Sequence, residues 1–214
     1  MISEQREIEA AFVTSVAALR QLPKLLTKAA TKVGRAKPVL VRDQYLDTAG
    51  LSLFRAGLAC RLRIMPKETL IGLKSLTAYR RGLSSRMEVE EKLRSRPPTF
   101  PARLPGRMIA ARLQHLLGDQ EVRVLFELRQ KRTVYPVALG GAVLQVSADE
   151  VTFVGDRPFP AALHEIEVEL LKGSAGALWT LVRQLRTKLK LVPVGQSKFE
   201  YGLEWAGISL WRRH

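Results

Sequence analysis

Three glutamates alternate with apolar residues in His164-Glu165-Ile166-Glu167-Val168-Glu169-Leu170. On a strand, successive side chains point to opposite faces, so Glu165, Glu167 and Glu169 share one face and Ile166, Val168 and Leu170 the other. Three carboxylates in a row repel one another and are costly to bury without cations. The same design recurs near the N-terminus, where Glu7 and Glu9 alternate with Ile8, Ala10 and Phe12. It recurs with opposite sign in Leu58-Ala59-Cys60-Arg61-Leu62-Arg63-Ile64, and with a single cation, Lys74, in the apolar run from Thr69 to Leu76. Clustered carboxylate oxygens suit a hard divalent cation, Mg²⁺ or Mn²⁺. Guanidinium and ammonium groups suit phosphate oxygens. Together they are the equipment of phosphoryl transfer. A half-exposed sheet with one solvated face would explain any single stretch. It does not explain why carboxylates fall on the terminal strands and cations on the central ones.

The elements that must hold these residues are legible in order. Glu7–Val13 reads as a strand. Ser15 to Gly34 has helical periodicity, with Val16, Leu19, Leu22 and Leu26 as its apolar stripe and Pro23 predicting a break into two helices. Strands are expected at Val39–Tyr45, Leu58–Ile64, Thr69–Leu76 and Ser85–Leu93, where Arg86, Glu88 and Glu90 share a face. A short helical link covers Ser52 to Ala56. Four prolines between Arg96 and Pro105 predict a loop. Gly106 to Leu117 reads as a helix packing through Met108, Ala111, Leu113 and Leu116. A long strand, Val122 to Val137, turns at Leu139-Gly140-Gly141-Ala142 into Val143–Ala148, and Val151–Val154 is a further strand. Residues 155 to 162 form a loop before the acidic strand. A helix from Gly173 to Lys190 and the stretch Ser197 to Gly202 close the organised part.

Closing such a sheet with charged faces inward gives an α+β fold: an antiparallel β-barrel with a charged lumen and helices packed outside. The 214 residues suit one domain, organised over about 5–203 with a short tail, 204–214. Lys and Arg number 35 against 20 Asp and Glu, and the resulting +15 favours anionic partners. The single cysteine, Cys60, excludes an internal disulfide and falls on an apolar face. No signal sequence or membrane-spanning run is visible, so a cytoplasmic protein without membrane association is expected. No helix-turn-helix, zinc or aromatic RNA-binding signature supports nucleic acid as the partner. The pattern favours no particular oligomer. None of His115, His164 and His214 is paired with a candidate nucleophile.

Read as an ordered set, these stretches resemble the CYTH, or triphosphate tunnel metalloenzyme, family, and most of all the bacterial inorganic triphosphatases. Glu7-Ile8-Glu9 resembles its E-x-E-x-K opening, Tyr45-Leu46-Asp47-Thr48 its Y-F-D-T turn, Arg61-Leu62-Arg63 its R-x-R and Leu73-Lys74 its lysine strand. Arg86-Met87-Glu88 resembles R-x-E, Glu165 to Leu170 E-I-E-L-E-L, and Ser197-Lys198 with Gly202 the closing S-K-x-x-x-G. The resemblance implies a tunnel that hydrolyses a linear triphosphate, inorganic or nucleoside, with Mg²⁺ or Mn²⁺. The alternative is a module that binds polyphosphate or nucleotide with little or no turnover. It implies Arg61, Arg63, Lys74, Arg86, Arg132 and Lys198 on phosphates, with Arg61, Arg63 and Lys74 closest to catalysis. It implies Glu7, Glu9, Glu88, Asp149, Glu165 and Glu167 on metal. Arg129 competes with Arg132, because strand alternation groups it with Lys131. Two positions depart from the family pattern. Ala11 stands where the opening motif has lysine, with Arg129 or Lys131 as cations that could replace it. Val151 stands where a turn glycine is frequent after Asp149.

Overall fold

The computed structural model describes residues 2–76, 79–94, 98–155 and 162–208. Its strands are β1 (Ile2–Val13), β2 (Lys32–Val33), β3 (Lys37–Thr48), β4 (Leu58–Met65), β5 (Glu68–Ser75), β6 (Leu83–Lys92), β7 (Val122–Leu139), β8 (Ala142–Val154), β9 (Leu163–Lys172) and β10 (Val192–Pro193). Its helices are α1 (Val16–Ala29), α2 (Ser52–Arg55), α3 (Arg107–Leu117), α4 (Ala175–Leu189) and α5 (Lys198–Trp205). Eight strands run antiparallel in the order β1-β6-β5-β4-β3-β7-β8-β9, and β9 pairs back onto β1, so the sheet closes into the expected barrel. Closure removes the exposed edges that an open sheet would carry. The two-residue strands β2 and β10 pair with β7 and β1.

Helices cover the apolar outer faces. Leu22 and Leu26 of α1, and Leu178, Leu181 and Leu185 of α4, pack with Phe12, Leu144, Val146, Ile166 and Val168 in one buried cluster. A second cluster joins Ile109, Leu113 and Leu117 of α3 to Cys60, Leu62, Ile71 and Val89. Each fully buried leucine contributes about 1.5–3 kcal/mol. No helix among the described residues is long and apolar enough to cross a membrane.

Several expectations are corrected. Pro23 does not break α1, which runs on through it. A proline inside a helix costs about 3 kcal/mol, but Leu22 and Leu26 on either side are fully buried, and continuity keeps both there. Val16 is exposed and Ala18 takes its place on the packed stripe. The packed face of α3 is Ile109-Leu113-Leu117, with Met108 outside. The Glu91 carboxylate accepts from the backbone N–H groups of Arg107, Met108 and Ile109 and thereby sets the rotation of the helix. The two strands expected at 143–148 and 151–154 are one, β8. Val151 is fully buried and pairs with both Gln130 and Leu163, so the ladder continues where a turn was expected. The Ser197 stretch is a helix with a complete capping box, Ser197 with Glu200, and it extends to Trp205. Residues 156–161 of the expected loop, 95–97 near the proline-rich loop and 209–214 of the expected tail lie outside the described residues.

Candidate active site

The inner face of the barrel gathers the charged residues around a cavity of about 190 Å³. Pairing places them. Glu7 on β1 stands opposite Arg86 on β6, and Lys74 on β5 opposite Glu88. Asp43 on β3 stands opposite Arg63 on β4, and Asp149 on β8 opposite both Arg132 on β7 and Glu165 on β9. One end carries an apolar cluster in which Phe199 and Leu203 of α5 meet Tyr45, Phe126, Leu128 and Val151. Gly202 makes this approach possible, since a Cβ there would lie 2.0 Å from the Phe126 ring. The same helix places Lys198, its first residue, in the cavity.

Three ionic groups form the lining. In the first, the Lys198 ammonium lies among Asp149, Glu165 and Glu167, 3.2 Å from Asp149 Oδ2 and 2.5 Å from Glu167 Oε1, and it also pairs with Glu165. Arg132 donates to Asp149 at 2.7 and 2.5 Å and to Glu167 at 2.6 Å. In the second, Lys74 lies 2.8 Å from Glu7 and 2.9 Å from Glu88, and Arg86 donates to Glu7 at 2.7 Å and to Glu9 at 2.5 Å. In the third, Arg63 grips Asp43 with two hydrogen bonds. Arg61 reaches Glu90 at 3.2 Å, Glu88 at 3.7 Å and Asp43 at 3.8 Å. Every other lumen cation has a carboxylate oxygen closer than Arg61 does, and Arg61 Nε is buried without a hydrogen-bond partner.

The electrostatics follow from shared counter-charges. Burial works against the ionised form of Glu7, yet Lys74 and Arg86 outweigh it and hold the carboxyl at about 2. Burial, with Glu167 and Asp149 adding to it, pushes Glu165 up to about 7 against the pull of Lys198. Desolvation works against the half-buried Glu167 too, but Lys198 and Arg132 hold it well below the usual carboxylate range. Carboxylates sharing one ammonium thus divide, one charged and one near neutrality. Glu169 is pushed up to about 7 by burial and by Glu7, Glu88 and Glu9, which outweigh Lys74. Burial raises Cys60 to about 12, so it stays an inert thiol on the apolar side.

All twelve residues expected to serve phosphate or metal are on the inner side of the barrel. Arg132 is the inward arginine of β7, with its side chain 11% exposed, whereas Arg129 is 68% exposed on the outside. Lys131 is also outside, so neither of these two can take the place of a lysine at 11. The carboxylates do not form one ligand set. Oxygens of Asp149, Glu165 and Glu167 lie within 4.8 Å of one another around Lys198 and Arg132, whereas Glu7 and Glu88 form a separate group around Lys74. Arg63 is committed to Asp43. Sequence reasoning missed Asp43 and Tyr79, and it placed Glu90 and Glu169 on charged faces without giving them a role. Asp43 had a signal, a lone acid on the face that Val41 and Tyr45 share, opposite an arginine strand. Tyr79 had none, because it follows β5 in an irregular segment.

The donor set fits a divalent cation. Among the described residues, the lining holds nine carboxylates (Glu7, Glu9, Asp43, Glu88, Glu90, Asp149, Glu165, Glu167, Glu169) against six cations (Arg61, Arg63, Lys74, Arg86, Arg132, Lys198). A surplus of buried carboxylate around oxygens less than 5 Å apart calls for protons or added positive charge.

Residues 5–199 match the sequence model of the CYTH domain. A comparison with curated proteins finds no match. Among solved structures, the chain is similar to an adenylyl cyclase candidate from Hippeastrum with a dominant triphosphatase activity (21% identity, TM-score 0.64, covering 96% of this chain and 98% of that one). It is similar to an adenylate cyclase candidate from Bacillus halodurans (18% identity, TM-score 0.61, covering 92% and 97%). It is also similar to the RNA triphosphatase domain of a mimivirus mRNA capping enzyme (11% identity, TM-score 0.50, covering 86% and 89%). At these identities the likeness is one of fold.

Proposed function

Because this chain belongs to the CYTH domain family, we propose that its barrel binds a linear triphosphate in the lumen and hydrolyses a phosphoanhydride bond with Mg²⁺ or Mn²⁺. The observation that carries this reading is the lining itself: six cations converge on one cavity beside three carboxylates whose oxygens lie within 4.8 Å of each other. A phosphate chain has oxygens to match the cations, and few other metabolites would use so many.

Arg61 is the first anchor, because its ion pairs are long. Lys74, Arg86, Arg132 and Lys198 can exchange part of their carboxylate contacts for phosphate oxygens. Held there, they offset charge that grows on the equatorial oxygens in the transition state. Arg63, clamped by Asp43, supplies a fixed positive charge at the lumen wall. Asp149, Glu165 and Glu167 would hold one cation, and Glu9, which lines the same cavity, would offer an oxygen to a cation in the lumen; when bound, the metal would polarise a phosphate oxygen and orient water.

A second reading, a polyphosphate- or nucleotide-binding module with little turnover, draws on Ala11. Its side chain lines the cavity directly opposite Glu167, with no cation at that position. Phosphate release from inorganic triphosphate and nucleoside triphosphates, with Mg²⁺, Mn²⁺ or chelator, tests both. Metal-dependent release supports hydrolysis. Binding of triphosphate without release supports the module, and neither binding nor release sinks both readings.

A further inference from the structure

Glu9 is held in an unusual, one-sided way. The Tyr79 hydroxyl donates to Glu9 Oε1 at 2.5 Å, and Arg86 Nη2 donates to the same oxygen at 2.5 Å. No hydrogen bond among the described residues reaches Oε2. Arg86 is itself braced, with its Nε on Glu7 and its guanidinium over the Tyr79 ring, 5.8 Å from the centroid. Both Tyr79 and Glu9 line the cavity.

The segment carrying Tyr79 is anchored to the strand carrying Glu9. Arg80 and Leu83 exchange backbone hydrogen bonds, and the two residues between them, Arg81 and Gly82, have φ of +53° and +84°. Such a turn wants glycine. Here the demand is steric as well, since a Cβ on Gly82 would lie 2.9 Å from the Ala11 carbonyl. Ala11 N–H donates to Gly82 O at 2.8 Å. The turn is therefore bonded to β1 two residues from Glu9, which places Tyr79 against that carboxylate.

From this geometry we infer that Tyr79 is a positioning residue for Glu9: it fixes Oε1 so that Oε2 is presented to a divalent cation in the lumen. The inference rests on the proposed metal-dependent function. A carboxylate pinned by one oxygen keeps its other oxygen oriented before the ion arrives, which removes part of the ordering entropy of binding. Hydrogen-bonded partners of ligating carboxylates carry about 10- to 100-fold of metal affinity.

The test is calorimetric titration of Mn²⁺ into the substrate-free protein. Tyr79→Phe keeps the ring on Arg86 and removes only the donor. It should weaken Mn²⁺ binding about 10-fold. In a Glu9→Gln background the same substitution should add no further loss, because the effect runs through Glu9. An unchanged Mn²⁺ affinity in Tyr79→Phe overturns the inference, as does an equal loss in both backgrounds, which would mark a merely structural role. Should Tyr79→Phe fold poorly, the Cζ resonance of Tyr79 in ¹³C-tyrosine-labelled wild-type protein serves instead. It should move on adding Mg²⁺, and a fixed resonance overturns the inference. If wild-type protein binds no divalent cation, the proposed function falls with it. If wild type binds and hydrolyses normally while Tyr79→Phe is silent, only the role of Tyr79 falls.

Discussion

Asp43 and Arg63 stand directly opposite each other on β3 and β4, and two hydrogen bonds of 2.9 and 2.8 Å join them. Gln130 donates to the same carboxylate at 2.7 Å. Burial disfavours the Asp43 charge, but Arg63 and Arg61 outweigh it and hold the carboxyl at about 2, against 3.8 when free. A depressed folded-state value means stability that is present above the unfolded value and lost as pH falls through the folded one. The pair should therefore contribute about 2 kcal/mol at neutral pH, lost between about pH 4 and pH 2. Asp43→Asn leaves Arg63 buried with a neutral partner. It should cost about 3 kcal/mol at pH 7 and little at pH 2. Urea melts at the two pH values measure this. Equal losses at both would show that the ion pair is not what Asp43 contributes.

Lys198 occupies the space between the three carboxylates expected to hold metal, so ammonium and metal compete for the same oxygens. Lys198→Met should tighten Mn²⁺ binding to the substrate-free protein by about tenfold, the equivalent of 1.4 kcal/mol. It should also lower the melting temperature in chelator, because the acids lose a partner. Glu167→Gln should act in the opposite sense, weakening Mn²⁺ binding, since a neutral amide is a poorer ligand for a hard cation. Calorimetry on both variants decides it. Weaker Mn²⁺ binding in Lys198→Met would refute the competition.

Arg61 is the lumen cation held least closely by carboxylates, the nearest lying 3.2 Å away. Arg61→Gln should weaken triphosphate binding by about 1.5–3 kcal/mol, the worth of a hydrogen bond to a charged group. Arg129→Gln, on the outer wall, should leave KM unchanged. Steady-state KM values with saturating metal compare the two. Equal KM values for Arg61→Gln and wild type would remove Arg61 from the phosphate site.

The barrel was legible because its strands alternate charge with apolar residues, and that period is the geometry of a sheet whose two faces are in different solvents. Arg61 and Arg63, or Glu165 and Glu167, could only share a face. How the charges pair was not legible. The grouping of Asp149, Glu165 and Glu167 around Lys198 and Arg132, and of Glu7 and Glu88 around Lys74, depends on cross-strand register, which periodicity does not encode. Arg132 over Arg129 is a case in point. Alternation placed Arg129 with Lys131, and both are indeed outside, but only pairing with Asp149 shows that the other face is the lumen. Tyr79 escaped because its position comes from a turn bonded to β1. Pro23 misled because tertiary burial of Leu22 and Leu26 outweighs local helix propensity.

Ala11 is buried, lines the cavity and stands opposite Glu167 across the β1–β9 pair. It shares the inner face with Glu9 two residues away. A lysine there would enter a carboxylate-rich region, and the two outer cations that could have replaced it are outside the barrel. The extra charge-assisted contact to phosphate would be worth roughly 1.5–3 kcal/mol. If it acts equally on substrate and transition state, Ala11→Lys lowers KM. If it acts on the transition state alone, it raises kcat. Either way kcat/KM for a triphosphate should rise by about ten- to a hundredfold. The opposing term is crowding with Lys198, which already pairs with Glu167. Steady-state kinetics at saturating metal separates the two. No gain in either parameter would mean that position 11 is not a missing phosphate contact, Arg132 and Lys198 already meeting Glu167 opposite it.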